Sequence, residues 1–166
     1  MIGTITLNGH HFDFRFATMK DKKLLMEGFK RLSSLSKLYR FHRPYATLTK
    51  KDANYFMDID NYNHLAIGAV EKIDDKEYGI GLIRYIREQN NPNNAEVGLT
   101  IIDSYQNQGL GTELYKKLLF FARKNCVKTL THHVLNKNIF MIELLKKFNG
   151  IAKKQCDGTT KIIVTT

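Results

Sequence analysis

The chain has 166 residues, 43% of them hydrophobic and 25% charged, which suits one soluble globular domain spanning residues 1–166. No apolar run approaches the roughly 18 residues that span a bilayer. The N-terminus, MIGTITLNGHHFDFRF, lacks the charged and apolar regions of a secretory signal. Net charge is +10 and uneven, with 11 Lys and Arg against 3 Asp and Glu in residues 113–166. That asymmetry points to an anionic partner near the C-terminal half, either nucleic acid or a phosphate-rich small molecule, or else to a merely solvated basic surface. Cys126 and Cys156 form no CxxC pair, so a reduced cytoplasm is expected and a structural zinc site is not.

In chain order, HFDFRFA (11–17) alternates apolar and polar residues, the period of a half-buried strand. KDKKLLMEGFKRLSS (20–34) then carries Leu24, Leu25, Phe29 and Leu32 at helical spacing, and a shorter helix is predicted over 50–57. HLAIGAVEKI (64–73) and YGIGLIRYIRE (78–88) read as strands joined by a polar turn, a hairpin. EQNNPNN (88–94) reads as a breaker, and AEVGLTII (95–102) as the next strand. A helix follows from about 109 to 125, with Leu110, Leu114, Leu118 and Phe121 on one face. The chain closes with a strand at 128–134, a helix at 138–148 and a strand at 161–166, with one more strand possible near 150–156. The order is that of a mixed α/β sheet rather than a strict βαβ alternation.

Between the 95–102 strand and the long helix lies DSYQNQGLG (103–111). Free backbone N–H groups at a helix N-terminus, with its positive dipole end, attract anions, and glycine lets a phosphate approach closely. Gly109 as a turn residue and Gly111 as a packing contact would be the plainer reading. A Walker A loop would need Gly-Lys-Ser/Thr, and no Lys precedes Thr112. A dinucleotide fingerprint would need a third glycine and an acidic residue after the next strand, and VKTLTHHVLN (127–136) has neither Asp nor Glu.

What remains is Gln106-Asn107-Gln108-Gly109-Leu110-Gly111, a Q-x-x-G-x-G pattern that resembles the pyrophosphate loop of the GNAT superfamily of acetyl-CoA-dependent N-acyltransferases. AEVGLTIIDSY resembles that family's cofactor strand, and Leu135, Asn138 and Met141 match its L-x-x-N-x-x-M helix entry. RLSSLSKLYRFHRP (31–44) and DIDNYNHLAIGAV (58–70) resemble the bacterial branch that includes protein-lysine acetyltransferases. The resemblance implies a twisted, mostly antiparallel sheet, splayed at the cofactor strand and flanked by about four helices. It implies that the backbone of Leu99, Thr100 and Ile101 pairs with the pantetheine arm of acetyl-CoA. Backbone N–H groups from Asn107 to Thr112 would hold the pyrophosphate, with Gln106 opening the cofactor loop, and Asn138, with Met141 beside it, would contact the cofactor from the second helix.

Acyl transfer to an amine needs a base, because a lysine amine with a pKa of ~10.4 is almost wholly protonated near neutral pH. Glu96 is the candidate: it precedes 99–101, its sequence neighbours Ala95, Val97 and Leu99 are apolar, and the resemblance places a catalytic glutamate there. His132 and His133 compete; adjacent on a strand, they must face opposite sides. His10-His11 has no further ligand nearby for a metal site. The chain departs from the family in placing Leu145 where many relatives carry a tyrosine acid, which leaves water to protonate the thiolate. It also places Asn149-Gly150 where Gly-Phe is usual. The expected function is acetyl transfer to a primary amine, a protein lysine or a small amine; an acyl-CoA-binding module without turnover is the alternative. Nucleic-acid binding lacks a helix-turn-helix or aromatic–basic signature.

Overall fold

The computed structural model describes residues 1–43 and 46–166. Its strands are β1 (Gly3–Leu7), β2 (His10–Phe16), β3 (His64–Ile73), β4 (Lys76–Glu88), β5 (Asn91–Ile101), β6 (Thr129–Leu135), β7 (Ile151–Lys154) and β8 (Thr159–Thr165). The helices are α1 (Lys22–Lys30), α2 (Ser34–Phe41), α3 (Lys50–Met57), α4 (Leu110–Lys124) and α5 (Ile139–Lys146). The strands form one sheet in the order β1-β2-β3-β4-β5-β6-β8-β7. Every neighbouring pair is antiparallel except β5 and β6.

That one parallel contact is short. Asn94, Ala95 and Glu96 pair with Thr129, Leu130 and Thr131, and beyond Glu96 the two strands part. β6 continues against β8 alone, while β5 continues against β4 alone. The middle of the sheet therefore opens into a V with the Val97–Ile101 edge of β5 on one side.

Helices cover both faces. α4 buries Leu110, Leu114, Tyr115, Leu118, Leu119 and Ala122 against Ile67, Ile83, Tyr85 and Val97. α5 reaches the same core through Leu145. On the opposite face α1 packs close to β4, where a Cβ on Gly28 would lie 3.5 Å from the Gly79 carbonyl oxygen. Ala17, Met57 and Ala66 make a smaller cluster there with Leu25 and Leu82.

Three expectations need correction. The stretch 20–34 is not one helix: Ser33 turns extended, its Oγ accepts from Ser36 N (3.1 Å) as an N-cap, and a second helix starts at Ser34. Five helices are thus found among the described residues. The segment 88–94 does not break the sheet. β4 and β5 are joined across Gln89-Asn90, and the register skips from Glu88↔Asn91 to Arg87↔Ala95. Pro92, which has no N–H to donate, falls within the skipped residues. β1 was not expected at all, yet it pairs with β2 through Asn8-Gly9, both at positive φ. Of the 31–44 segment, Pro44 lies outside the described residues.

Leu118 is fully buried in the α4–sheet core. Leu118→Ala is expected to lower unfolding free energy by about 2–5 kcal/mol, seen as a lower urea midpoint with an unchanged m-value.

Candidate active site

The open edge of β5 is the floor of a groove of about 460 Å³. Leu99, Thr100 and Ile101 bond to Ile83, Leu82 and Gly81 of β4 on one side and to no strand on the other. β5 then passes through one turn of 3₁₀ helix, Asp103–Tyr105, into the loop that starts α4. The loop is held from beneath. Gln106 Nε2 donates to Ile101 O (2.9 Å) and Ser36 Oγ (3.0 Å), and Gln108 Nε2 donates to Ser104 O (2.8 Å). Asp103 accepts from Ser33 N (2.9 Å), Ser33 Oγ (2.5 Å) and Ser36 Oγ (2.8 Å), tying α2 to the same loop. Those bonds hold its carboxyl below the usual range, against the opposing effect of its partial burial.

The two glycines do different work. Gly109 sits at φ +90° as the N-cap of α4, and a Cβ there would meet nothing within 4 Å. It is needed for its backbone angle and leaves the helix N-terminus open to the groove. A Cβ on Gly111 would stand 3.3 Å from Ile101 Cδ1 and 3.6 Å from Leu144 Cδ2, so Gly111 is a packing residue that brings α4 close to β5 and α5.

Asn107, Gly109, Gly111, Thr112, Asn138 and Met141 line the groove together with Gln106 and residues 99–101. Three members of the sequence-derived set, Gln108, Leu110 and Glu96, do not. Leu110 is buried in the core, leaving only its backbone near the loop, and Gln108 braces the loop from inside. Asn138 caps α5, its Oδ1 accepting from Met141 N (3.2 Å). Only its amide nitrogen is left to meet a ligand.

Glu96 stands at the last paired rung before the strands part. It is exposed, so the desolvation expected from Ala95, Val97 and Leu99 does not occur: in a strand these neighbours point to the other face, into the α4 core. Glu96 shares its face with Gly98 and Thr100, and its nearest charge of consequence is Arg40. His132 and His133 do face opposite ways, one buried and one exposed. His132 Nε2 lies 2.8 Å from the Tyr115 hydroxyl. Burial, with His133 adding to it, pushes its imidazole down to about 3. Burial raises the Tyr115 phenol, which therefore stays protonated and donates to Nε2. The remaining Nδ1–H, in a residue of the groove wall, has no acceptor among the described residues. A buried donor without a partner suits a groove that a ligand rich in acceptors fills.

Two side chains missing from the sequence-derived set are Arg40 and Arg84. Arg84 sits beside Gly98 in the β4–β5 register and is 5% exposed. Arg40, from α2, lies on Gly98 so closely that a Cβ there would overlap its guanidinium. An arginine inside the otherwise apolar run GIGLIRYI was the signal available.

Residues 32–151 match the model of the acetyltransferase (GNAT) family, and the chain belongs to that family. It is 26% identical over 118 residues to acetyltransferase Pat of Mycolicibacterium smegmatis, covering 69% of this chain and 34% of that protein. Thus it spans about a third of that relative. It is 25% identical over 158 residues to acetyltransferase PA5475 of Pseudomonas aeruginosa, covering 94% and 83%. Its fold matches the GNAT domain of S. lividans PAT with a TM-score of 0.88 at 24% identity, covering 99% and 96% of the two chains. It also matches YncA of Salmonella typhimurium, solved with its cofactor acetyl-CoA, with a TM-score of 0.71 at 13% identity, covering 93% and 92%. Among the described residues no helix is long and apolar enough to cross a membrane, and no cluster of His, Cys, Asp or Glu could hold a metal ion.

The depressed His132 gives a pH prediction. The imidazole is neutral in the folded protein, whereas the unfolded chain protonates it near pH ~6.5. Its contribution to stability is complete above about pH 6.5 and is lost as pH falls toward 3, with a slope of up to about 1.4 kcal/mol per pH unit. His132→Gln keeps an acceptor for Tyr115, and is expected to flatten the pH dependence of the urea midpoint below about pH 6.5. His64, whose imidazole burial also pushes down, leaves a pH dependence of the same sign.

Proposed function

We propose that this protein transfers the acetyl group of acetyl-CoA directly to a primary amine, read as the side chain of a protein lysine. The observation that carries the proposal is the unpaired edge of β5 running straight into the glycine-opened N-terminus of α4. An extended arm bearing amides can add to that edge as a strand would, and the helix N-terminus at its end is built for a pyrophosphate. The family match and the Salmonella structure with acetyl-CoA support the same ligand. The acceptor class is read from segments 31–44 and 58–70, which resemble the protein-lysine acetyltransferase branch. That ligand supplies an acetyl group already activated as a thioester.

The chain supplies the rest. Backbone of 106–112 and Thr112 fix the phosphates, while residues 99–101 align the thioester with a strand N–H directed at its carbonyl. Glu96, on the face of β5 shared with Gly98 and Thr100, takes the proton that the amine must lose. Being exposed, it acts through its charge and position, and through water where the amine is out of direct reach. The thiolate leaves with little help, as thiols have pKa values of about 8–9. Leu145, fully buried, can offer no acid there, so water protonates the sulfur. Cys126 and Cys156 are exposed and outside the groove, which favours direct attack over an acyl-enzyme.

Glu96→Gln is expected to lower turnover of a lysine peptide by about 10²–10⁴-fold while calorimetry finds acetyl-CoA binding unchanged. Gly109→Trp should abolish that binding. Retention of activity in Glu96→Gln would remove the base assignment. Unimpaired binding by Gly109→Trp would remove the cofactor assignment.

A further inference from the structure

Arg40 and Arg84 form a cationic corner that the transfer chemistry does not use. A second cavity, of about 90 Å³, lies between the sheet and helices α1 and α3. It is walled mostly by apolar side chains, Leu24, Leu25, Phe29 and Met57 among them. It shares Arg40, Gly98 and Thr100 with the cofactor groove, so the two spaces adjoin at the strand segment where transfer takes place. Both guanidiniums line the cavity. Arg84 is almost wholly buried, yet among the described residues its guanidinium has one hydrogen bond, a long one of 3.4 Å to Phe56 O, and a stacking contact with the Phe56 ring at 4.1 Å. Arg40 has no hydrogen bond or salt bridge among the described residues. Its nearest aromatic contact is Phe41 at 5.2 Å. Each guanidinium carries a fork of N–H donors and no acceptor.

A buried cation beside a half-buried one, neither with a bound carboxylate, is repelled by its neighbour and has lost hydration it has in water. The consequence is visible at Arg84, whose guanidinium burial and Arg40 push down to about 9. Such a pair is stabilised by an anion that accepts from both forks, as a planar carboxylate does. Within the chain, Asp21, which lines the same cavity, is bonded to Arg15, and Glu96 is exposed and bonds to neither arginine. The arginines also impose a cost on a bare alkylammonium acceptor, which would be a third cation at the same corner.

We propose that Arg40 and Arg84 form an acceptor subsite for a carboxylate, so that the amine acetylated here is one that travels with a carboxyl group. The proposal rests on the acetyl-transfer reading above and narrows its acceptor. A small amino acid or an acidic residue beside a lysine would each present the same chemistry. The experiment measures kcat/KM of acetyl transfer for two matched pairs: 4-aminobutyrate against butylamine, and a lysine peptide with Asp against Asn next to the lysine. Wild type, Arg40→Met and Arg84→Met are compared, and the Nε–H resonances of the arginines are followed by NMR during titration with butyrate. The carboxylate-bearing member of at least one pair is expected to be favoured about ten- to a hundredfold, and either substitution should erase the preference. The pair that shows it identifies the source. Arg40→Met covers the case in which the buried Arg84→Met fails to fold.

Equal rates within both pairs in wild type, or a preference that survives both substitutions, would overturn the subsite and leave acetyl transfer standing. Turnover absent with every acceptor, but with butyrate shifting both Nε–H signals, would sink the transfer reading and uphold the subsite. Absent turnover with no butyrate response would end both.

Discussion

Everything distinctive here follows from where β5 stops pairing with β6. A sheet normally satisfies both edges of an interior strand, and an unpaired edge in the middle of one leaves backbone donors and acceptors without partners. β5 keeps β6 for only three rungs and then loses it at Glu96–Thr131. The parting is held open by strand pairing on each side: β6 is committed to β8 along its whole length, and β5 to β4. α4 enters from the core face and, through the bare Gly111, comes close enough to seal the bottom of the V. A ligand that runs along β5 is thus met by backbone first and by side chains second.

The two faces of β5 are electrically unlike. On one, Ala95, Val97, Leu99 and Ile101 merge with the apolar core under α4. On the other stand Glu96, Gly98 and Thr100, with Arg40 laid over the glycine and Arg84 its register partner on β4. The dipole of α4 and the two guanidiniums converge on the same few residues of strand from different directions.

Much of this was legible in the amino-acid pattern, and the failures have physical causes. The strands β3, β4 and β6 and helix α4 announce themselves by strong periodicity, and the loop by its glycines. The split between α1 and α2 did not, because the apolar spacing of Leu24 through Leu32 runs smoothly up to a break that depends on Ser33 and on Asp103, 70 residues away. β1 was overlooked although Asn8-Gly9 is the turn that most strongly favours a two-residue hairpin. Reading 88–94 as a breaker gave Pro92 too much weight, since a register skip absorbs a proline without ending the strand. Along the groove, the motif pointed to Gln106, Asn107, Gly109, Gly111 and Thr112, which do line it. Arg40 and Arg84 escaped because their meeting at Gly98 joins an α2 residue to neighbouring strands far along the chain. The environment of Glu96 was misjudged for a simpler reason: sequence neighbours in a strand are not spatial neighbours.

The basic excess of the C-terminal half has a second meaning at the sheet's margin. β7 is the outermost strand on its side, and all four of its residues, Ile151, Ala152, Lys153 and Lys154, are exposed. An open strand edge invites another copy to add to it, and lysines along that edge discourage the approach by mutual repulsion. Lys153 and Lys154, with Lys161 at the neighbouring rung of β8, place like charges where two such edges would meet. Part of the charge that first suggested a ligand therefore serves as a guard against self-association.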